Sequence, residues 1–316
     1  MSGNRSSEIT TIVVIGASGF IGEHLLRTLA ARETIEVRAL VHRNNAESYG
    51  NVSFIRGDLL KQDSLDELLS KNCTVINLAY LAQNNLEAMA NLAKACAKNQ
   101  IRLLIHCSTA VVDGRAGSDL VTENTACVPV SEYETTKLQM EAILLEEATG
   151  KFEVTILRPT AVFGPGGKNL LKLANELMAA NQWINYARSC LFNRRSMNLV
   201  SVENVVAALE FLLDAEKVDR EVFIISDDDS PVNNYRDVED RMLATFGKSY
   251  PISRVIISRF VLCALLRLAG KSNTNPQKKY SAKKLAALGF KKPQDLKMAI
   301  DAFAMWYKNY CITQSV

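Results

Sequence analysis

Tyr133 and Lys137 stand four residues apart in the stretch SEYETTK. Four residues is about one helical turn, so on a helix the two side chains share a face. A lysine ammonium beside a phenol favours the phenolate, which otherwise forms only near a pKa of about 10. Such a pair can pass a proton to or from an alcohol or sugar oxygen near neutral pH. The same spacing also occurs on plain solvated helices, so its meaning depends on the elements around it.

Gly16, Gly19 and Gly22 lie in GASGFIG, where the apolar run TIVVI turns into the amphipathic stretch GEHLLRTLAAR. A glycine here permits a tight turn and close backbone approach to a pyrophosphate, a later one permits close helix packing, and the helix N-terminus offers N–H groups to the anion. The spacing is G-x-x-G-x-x-G, and its place between a strand and a helix near the chain start points to a dinucleotide. Ser18, Phe20 and Ile21 belong to the same turn and are expected against the cofactor. A site that prefers NAD carries an acidic residue about twenty positions beyond the glycines. The second strand ends instead in LVHRNN, with His42 and Arg43. A cation there suits a 2′-phosphate, so NADP(H) is the preferred cofactor and NAD(H) the alternative, with a plain solvated loop as the other reading of Arg43. Asp58 and Leu59, in GDL after the third strand, fit a contact to the adenine, although Asp after Gly is also ordinary turn chemistry.

These groups need a scaffold. Short β-branched runs alternate with helical stretches over the first half: VRALVHR and VSFIRGDL read as strands, SLDELLSK as a helix, CTVINLAY as a strand, NLEAMANLAKACAKN as a helix and RLLIHCST as a strand. Such alternation means a parallel sheet covered on both faces. FEVTILRPTAVFGPGG reads as a sixth strand ending at a Pro/Gly corner, NLVSVENVVAALEFLLDAE as a short strand feeding a helix, and REVFIIS as a returning strand. The expected fold is α/β, a Rossmann-type doubly wound parallel sheet with a smaller, mostly helical C-terminal substrate lobe. Residues 1–165, with 200–226 returning, are expected to form the dinucleotide domain, and 166–199 with 227–316 the lobe. VIISRFVLCALLRLA, over 255–269, is too short to span a membrane and is interrupted by Arg259 and Arg267. It reads as a buried or groove-lining helix, with docking on a membrane surface as the alternative.

Composition narrows the function classes. The chain has 316 residues, 48% hydrophobic, with a formal net charge of +3. There is no basic run with interleaved aromatics to argue for nucleic acid. Seven cysteines are scattered without a C-x-x-C pair, and three histidines (His24, His42, His106) lie far apart. Free thiols in a reducing compartment, and no metal, are expected. MSGNRSSEIT lacks an apolar secretory core and no apolar run reaches membrane-spanning length, so a cytoplasmic location is expected.

With these residues placed, the chain resembles the extended short-chain dehydrogenase/reductases, in particular their nucleotide-sugar epimerase and reductase branch. The resemblance covers nearly the whole length and rests on GASGFIG, GDL, INLAY, HCSTAVVDG, YETTK and LRPTAVFGPG in that order. It implies that Leu78 and Ala79, at the fourth strand's end, and Ser108 lie at the cofactor. It implies that Thr109 bonds the reacting oxygen, Tyr133 passes the proton, and Lys137 holds the nicotinamide ribose and acidifies the phenol. Pro159 to Val162 would line the nicotinamide. Asn169, Arg194 and Arg195 would meet the nucleotide phosphates of the substrate, with a solvated loop as the other reading of the two arginines. A homodimer built partly on the Tyr/Lys helix is a further implication, although its apolar positions fit packing on the sheet equally.

Two departures matter. The family's V-Y-G reads V-D-G, with Asp113 in the aromatic's place, which is expected to change the substrate pocket's wall. Ala110 and Val111 follow Thr109, where sugar 4,6-dehydratases of the family carry an acidic pair, so a dehydratase is not expected. The remaining expectation is NADPH-dependent reduction of a nucleotide-linked 4-keto-6-deoxy sugar for bacterial surface polysaccharide. The alternatives are an NAD-dependent nucleotide-sugar 4-epimerase and a non-catalytic dinucleotide-binding sensor or scaffold.

Overall fold

A computed structural model describes residues 10–42, 47–255, 257–268 and 275–314. The first half runs β1 (Thr10–Ile15), α1 (Phe20–Leu29), β2 (Ile35–Val41), β3 (Val52–Arg56), α2 (Gln62–Leu68), β4 (Thr74–Asn77), α3 (Asn85–Lys98) and β5 (Leu103–Cys107). A 3₁₀ turn, Ala110–Asp113, leads to β6 (Leu120–Val121), α4 (Glu132–Glu147), β7 (Glu153–Pro159) and β8 (Ala161–Phe163). Then come α5 (Leu171–Ala179), α6 (Gln182–Phe192), β9 (Leu199–Ser201), α7 (Val202–Asp214) and β10 (Glu221–Ile225). The chain finishes with α8 (Tyr235–Phe246), α9 (Arg259–Leu268), β11 (Lys279–Tyr280), α10 (Lys283–Ala287) and α11 (Leu296–Gln314).

Seven strands form the main sheet in the order β10-β7-β5-β4-β1-β2-β3. The pairings from β3 through β7 are parallel. Every residue of β4 and β5 is buried, as strands covered on both faces should be. The strand order reverses between β1 and β4. In open parallel sheets that reversal leaves a crevice beyond the strands' carboxyl ends. The glycine turn follows β1 and Leu78–Ala79 follow β4, so both flank the reversal.

The chain groups into two compact units. The first comprises residues 1–108, 136–157 and 209–222; the second comprises 109–135, 158–208 and 223–316. Residues 109–135 and 158–165 thus fall with the second unit, not with the first. In the first, Val13, Ile15, Val75 and Leu104 of the sheet pack with Leu92 and Met89 of α3 and with Met140 and Leu144 of α4. The second unit's core joins Phe163, Leu173, Val238 and Met242 to Ile300, Phe303 and Tyr307 of α11.

Three elements differ from the expected pattern. The anticipated sixth strand breaks at Thr160. The Thr160 N–H donates to Ile225 O at 3.1 Å and the next N–H, of Ala161, donates to Asn198 O at 2.8 Å. The chain thus changes partners in one step, and β8 pairs with β9 in a separate two-stranded sheet. Helix α6 was not anticipated, because Gln, Asn, Arg and Ser interrupt its apolar stripe; Asn181 caps it by accepting from Trp183 N at 2.8 Å. Helix α9 lines a groove as expected but is not buried: Phe260 and Leu268 are exposed. No helix among the described residues is long and apolar enough to cross a membrane.

Candidate functional site

The glycine turn is sterically closed to side chains. Gly16 has φ +81°, and a Cβ there would sit 2.8 Å from Ala79 N and from Leu78 C. A Cβ on Gly22 would meet Gly16 O at 2.3 Å, and one on Gly19 would lie 3.2 Å from the same oxygen. The turn is pinned by Gly19 N donating to Gly16 O at 3.0 Å and by Leu78 N donating to Ile15 O at 2.8 Å. Helix α1 begins with Gly19 as its cap and with no side-chain cap bond. The first-turn N–H groups, on Phe20, Ile21 and Gly22, therefore keep their capacity for an anion. Ser18 and Gly19 are exposed at this end, whereas Gly22 is buried.

Asp58 closes β3. Its Oδ1 accepts from Leu60 N at 3.0 Å, which is turn bracing, and its Oδ2 stands 3.8 Å from His42 Nε2 at the end of β2. Leu59 is buried and joins the first unit's core. Arg43 lies outside the described residues. Ser108 is buried and its Oγ has no hydrogen-bond partner among the described residues. A glycine cradle, an uncapped helix start, a carboxylate just after β3 and a buried hydroxyl unpartnered among the described residues together fit a nicotinamide dinucleotide. They fit through the first unit's own strand ends.

The start of α4 is set by reciprocal capping. Ser131 Oγ accepts from Glu134 N at 3.3 Å, while Glu134 Oε2 accepts from Ser131 N at 3.2 Å and Val130 N at 2.7 Å. This S-x-x-E box satisfies donors that the helix cannot satisfy internally. It places Tyr133 in the first turn, 41% exposed. One turn later Lys137 is only 3% exposed; its Nζ donates to Cys107 O at 3.1 Å and lies 5.2 Å from the centre of the Tyr80 ring. Burial lowers the Lys137 pKa from the ordinary lysine value, with Cys107 and Glu141 acting in the other direction. Burial pushes the Cys107 thiol up to about 11, which leaves it a thiol and no nucleophile. Behind it His106 is fully buried, its Nδ1 3.3 Å from Asn77 Nδ2 and its Nε2 without a hydrogen-bond partner among the described residues.

Thr109 follows β5 and caps the 3₁₀ turn, its hydroxyl accepting from Val111 N at 3.5 Å. Asp113, expected to reshape a pocket wall, does something else. It is buried and holds Lys278 Nζ at 2.6 Å and Tyr280 OH at 2.7 Å, while Lys278 also donates to Gly114 O at 2.9 Å. The carboxylate thus pins the segment that carries β11 to the turn after Thr109, because a buried charge has to be matched by another.

The remaining expected residues are dispersed within the second unit. Pro159 ends β7 and is buried; Val162 lies on β8 and its carbonyl accepts from Asn169 Nδ2 at 2.7 Å. Asn169 therefore braces its own loop with its amide N–H₂. Arg194 reaches Asp237 at 3.9 Å. Arg195 lies over the Phe192 ring at 5.6 Å, has no carboxylate partner among the described residues, and has its pKa lowered by burial. An unpaired guanidinium is free to take an anion. Sequence reading missed Tyr80, although it ends the quoted INLAY motif, and missed the capping box, although S-x-x-E is itself a signal. It could not have found Lys278 and Tyr280, which lie far along the chain from Asp113.

The chain is similar to several known proteins. Sterol-4-alpha-carboxylate 3-dehydrogenase, decarboxylating, of Schizosaccharomyces pombe is 29% identical over 52% of this chain, which spans only about half (53%) of that relative. N-acetyl-alpha-D-glucosaminyl-diphospho-ditrans,octacis-undecaprenol 4-epimerase of Escherichia coli O157:H7 is 25% identical, covering 92% of this chain and 93% of its own. The fold matches the crystal structure of UDP-glucuronic acid 4-epimerase from Bacillus cereus in complex with NAD, with a TM-score of 0.73, 20% identity and coverage of 95% and 97% of the two chains. The family model for the NAD dependent epimerase/dehydratase family matches residues 12–226, and the chain belongs to that family.

Proposed function

We propose that this protein is an oxidoreductase acting at carbon 4 of a sugar held on a diphosphate carrier. In the leading reading it is an NADPH-dependent reductase of a nucleotide-linked 4-keto-6-deoxy sugar serving bacterial surface polysaccharide. The observation that carries the chemistry is the buried Lys137 ammonium, fixed on the Cys107 carbonyl one helical turn from an accessible Tyr133. A bound reduced nicotinamide supplies the hydride. Tyr133 donates the proton to the carbonyl oxygen as the hydride arrives at carbon. Thr109 hydrogen-bonds the same oxygen and steadies its developing charge. Lys137 holds the ribose and favours the phenolate left behind. Arg195, unpaired by any carboxylate among the described residues, is the group we assign to the substrate's diphosphate, with Arg194 and Asn169 assigned to the same phosphates. His42, just after β2, and Arg43, next to it in the sequence, stand where an acidic residue would suit NADH, and this supports NADPH.

A second reading, an NAD-dependent 4-epimerase, is favoured by two of the three similar proteins above, which are 4-epimerases of a polyprenol-linked and a nucleotide-linked sugar. A non-catalytic sensor is the least supported, since Tyr133 and Lys137 are both present. We further propose a cytoplasmic homodimer. The test is to denature freshly purified protein, identify the released nucleotide, and then screen UDP-, dTDP- and GDP-linked 4-keto sugars with NADPH and NADH by nicotinamide absorbance. Stoichiometric consumption of NADPH is expected. Retained NAD with interconversion of 4-epimers and no net oxidation would replace the reductase by the epimerase.

A further inference from the structure

Helix α9 presents its apolar residues outward. Leu262 and Leu266, one turn apart, are buried on its inner side. At about 100° per residue, Phe260, Val261, Leu265 and Leu268 share an arc of about 140° on the other side. They are 72%, 48%, 45% and 86% exposed, and Ile252 and Val255 just before the helix are exposed too. Arg267 is exposed and borders the same arc.

The helix sits in a segment unlike the rest of the chain. Residues 250–300 contain eleven Lys and Arg against a single carboxylate, Asp295, leaving twenty-six against thirty-three, a net of −7, for everything else. Lys278, Lys292 and Arg254 are matched by Asp113, by Asp227 and Asp229, and by Glu239 and Asp240 respectively. Lys279, Lys283, Lys291 and Lys297 are exposed. Beside α9 lies a groove of about 360 Å³ lined in part by Phe260, Cys263 and Arg267 of the helix and by Arg115 of the loop after the 3₁₀ turn. Arg115 and Arg267 carry no ion pair among the described residues.

We propose that α9 docks this protein on an anionic phospholipid surface, lying in the interface plane with its outward side chains in the acyl boundary and Arg115 and Arg267 at the phosphates. Binding of an interfacial helix scales with the apolar area it buries plus its electrostatic attraction to anionic lipids; the basic segment supplies the second contribution. A second copy of the chain is the weaker occupant, because an isologous contact would bring the same strongly basic segment against itself. The proposal is independent of the reaction assigned above.

The test is flotation of the purified full chain with vesicles of phosphatidylcholine alone and of phosphatidylcholine with about 30 mol % phosphatidylglycerol. A variant carrying Val261→Ser, Leu265→Ser and Leu268→Ser is compared, its folding checked by circular dichroism and dinucleotide binding. Wild type is expected to float with the anionic vesicles at low salt, to be released at high salt, and to partition about tenfold more strongly than the variant. Three outcomes overturn the proposal: no flotation on anionic vesicles, equal flotation of a folded variant, or equal binding to neutral vesicles. A solution mass that falls to the monomer in the variant, without any vesicle binding, assigns the face to self-association instead. Retention of an acidic protein without vesicle binding assigns it to a protein partner.

Discussion

A phenol can relay a proton only if its backbone holds it in register with its partners, and for Tyr133 that register comes from two residues. Ser131 and Glu134 fix where α4 starts, so Tyr133 and Lys137 fall on one side of its first two turns. Tyr133→Phe leaves the packing unchanged and removes the transferable proton. It is expected to lower turnover by about 10²–10⁴ while cofactor affinity, measured by fluorescence titration, stays within about twofold. Normal turnover in that variant would remove Tyr133 from the relay. Gly22→Ala is expected to act differently, since its Cβ would strike Gly16 O at 2.3 Å. The turn has to open, so dinucleotide binding should fall more than tenfold; unchanged affinity would show the turn to be uninvolved. Both sites were legible in sequence because each is a short local pattern: glycines at one period, and Tyr and Lys one turn apart. The Lys137 bond to Cys107 O was not legible, because a backbone acceptor leaves no signature in residue type.

Elements were readable where one partner sheet persists and unreadable where it changes. The runs of β1, β2, β4 and β5 stay in a single parallel sheet, and their apolar patterns mark them. LRPTAVF reads as one strand, yet its backbone passes from Ile225 to Asn198 within two residues, and nothing in side-chain type records that exchange. Asp113 makes the same point about a side chain. Matching it to the family's aromatic suggested a pocket wall, but the structure uses it to tie β11 to the turn after Thr109. Breaking a buried pair leaves one charge uncompensated, so Lys278→Met alone is expected to destabilise by about 3–5 kcal/mol. The double variant Asp113→Asn, Lys278→Met should lose clearly less than the sum of the two single changes, read as midpoints in urea. Strict additivity would mean the two groups do not depend on each other.

At the scale of the whole molecule, buried titrating groups set how stability responds to pH, and two of them pull in opposite directions. Burial, reinforced by Lys137, holds the His106 pKa well below 6.5. Above pH 6.5 its ring is neutral folded or unfolded; below that value the unfolded chain takes up a proton that the folded one refuses. Stability therefore falls as pH drops, by up to about 1.4 kcal/mol per unit, until the folded pKa is reached. Asp228 behaves oppositely. Burial raises it to about 6, against the bonds it accepts from Asn198 and the Tyr280 backbone. From about pH 4, the ordinary carboxylate value, up to that folded pKa, the unfolded chain has released a proton the folded one keeps, so stability declines as pH rises. The histidine was visible in sequence only as one of three scattered residues; its burial follows from lying in a central strand with every residue covered. His106→Gln should flatten the loss between pH 6.5 and 5, whereas Asp228→Asn should steepen it by removing the opposing contribution. Urea midpoints across that range separate the two, and parallel profiles for wild type and His106→Gln would show that the imidazole takes up its proton as readily in the fold as in the unfolded chain.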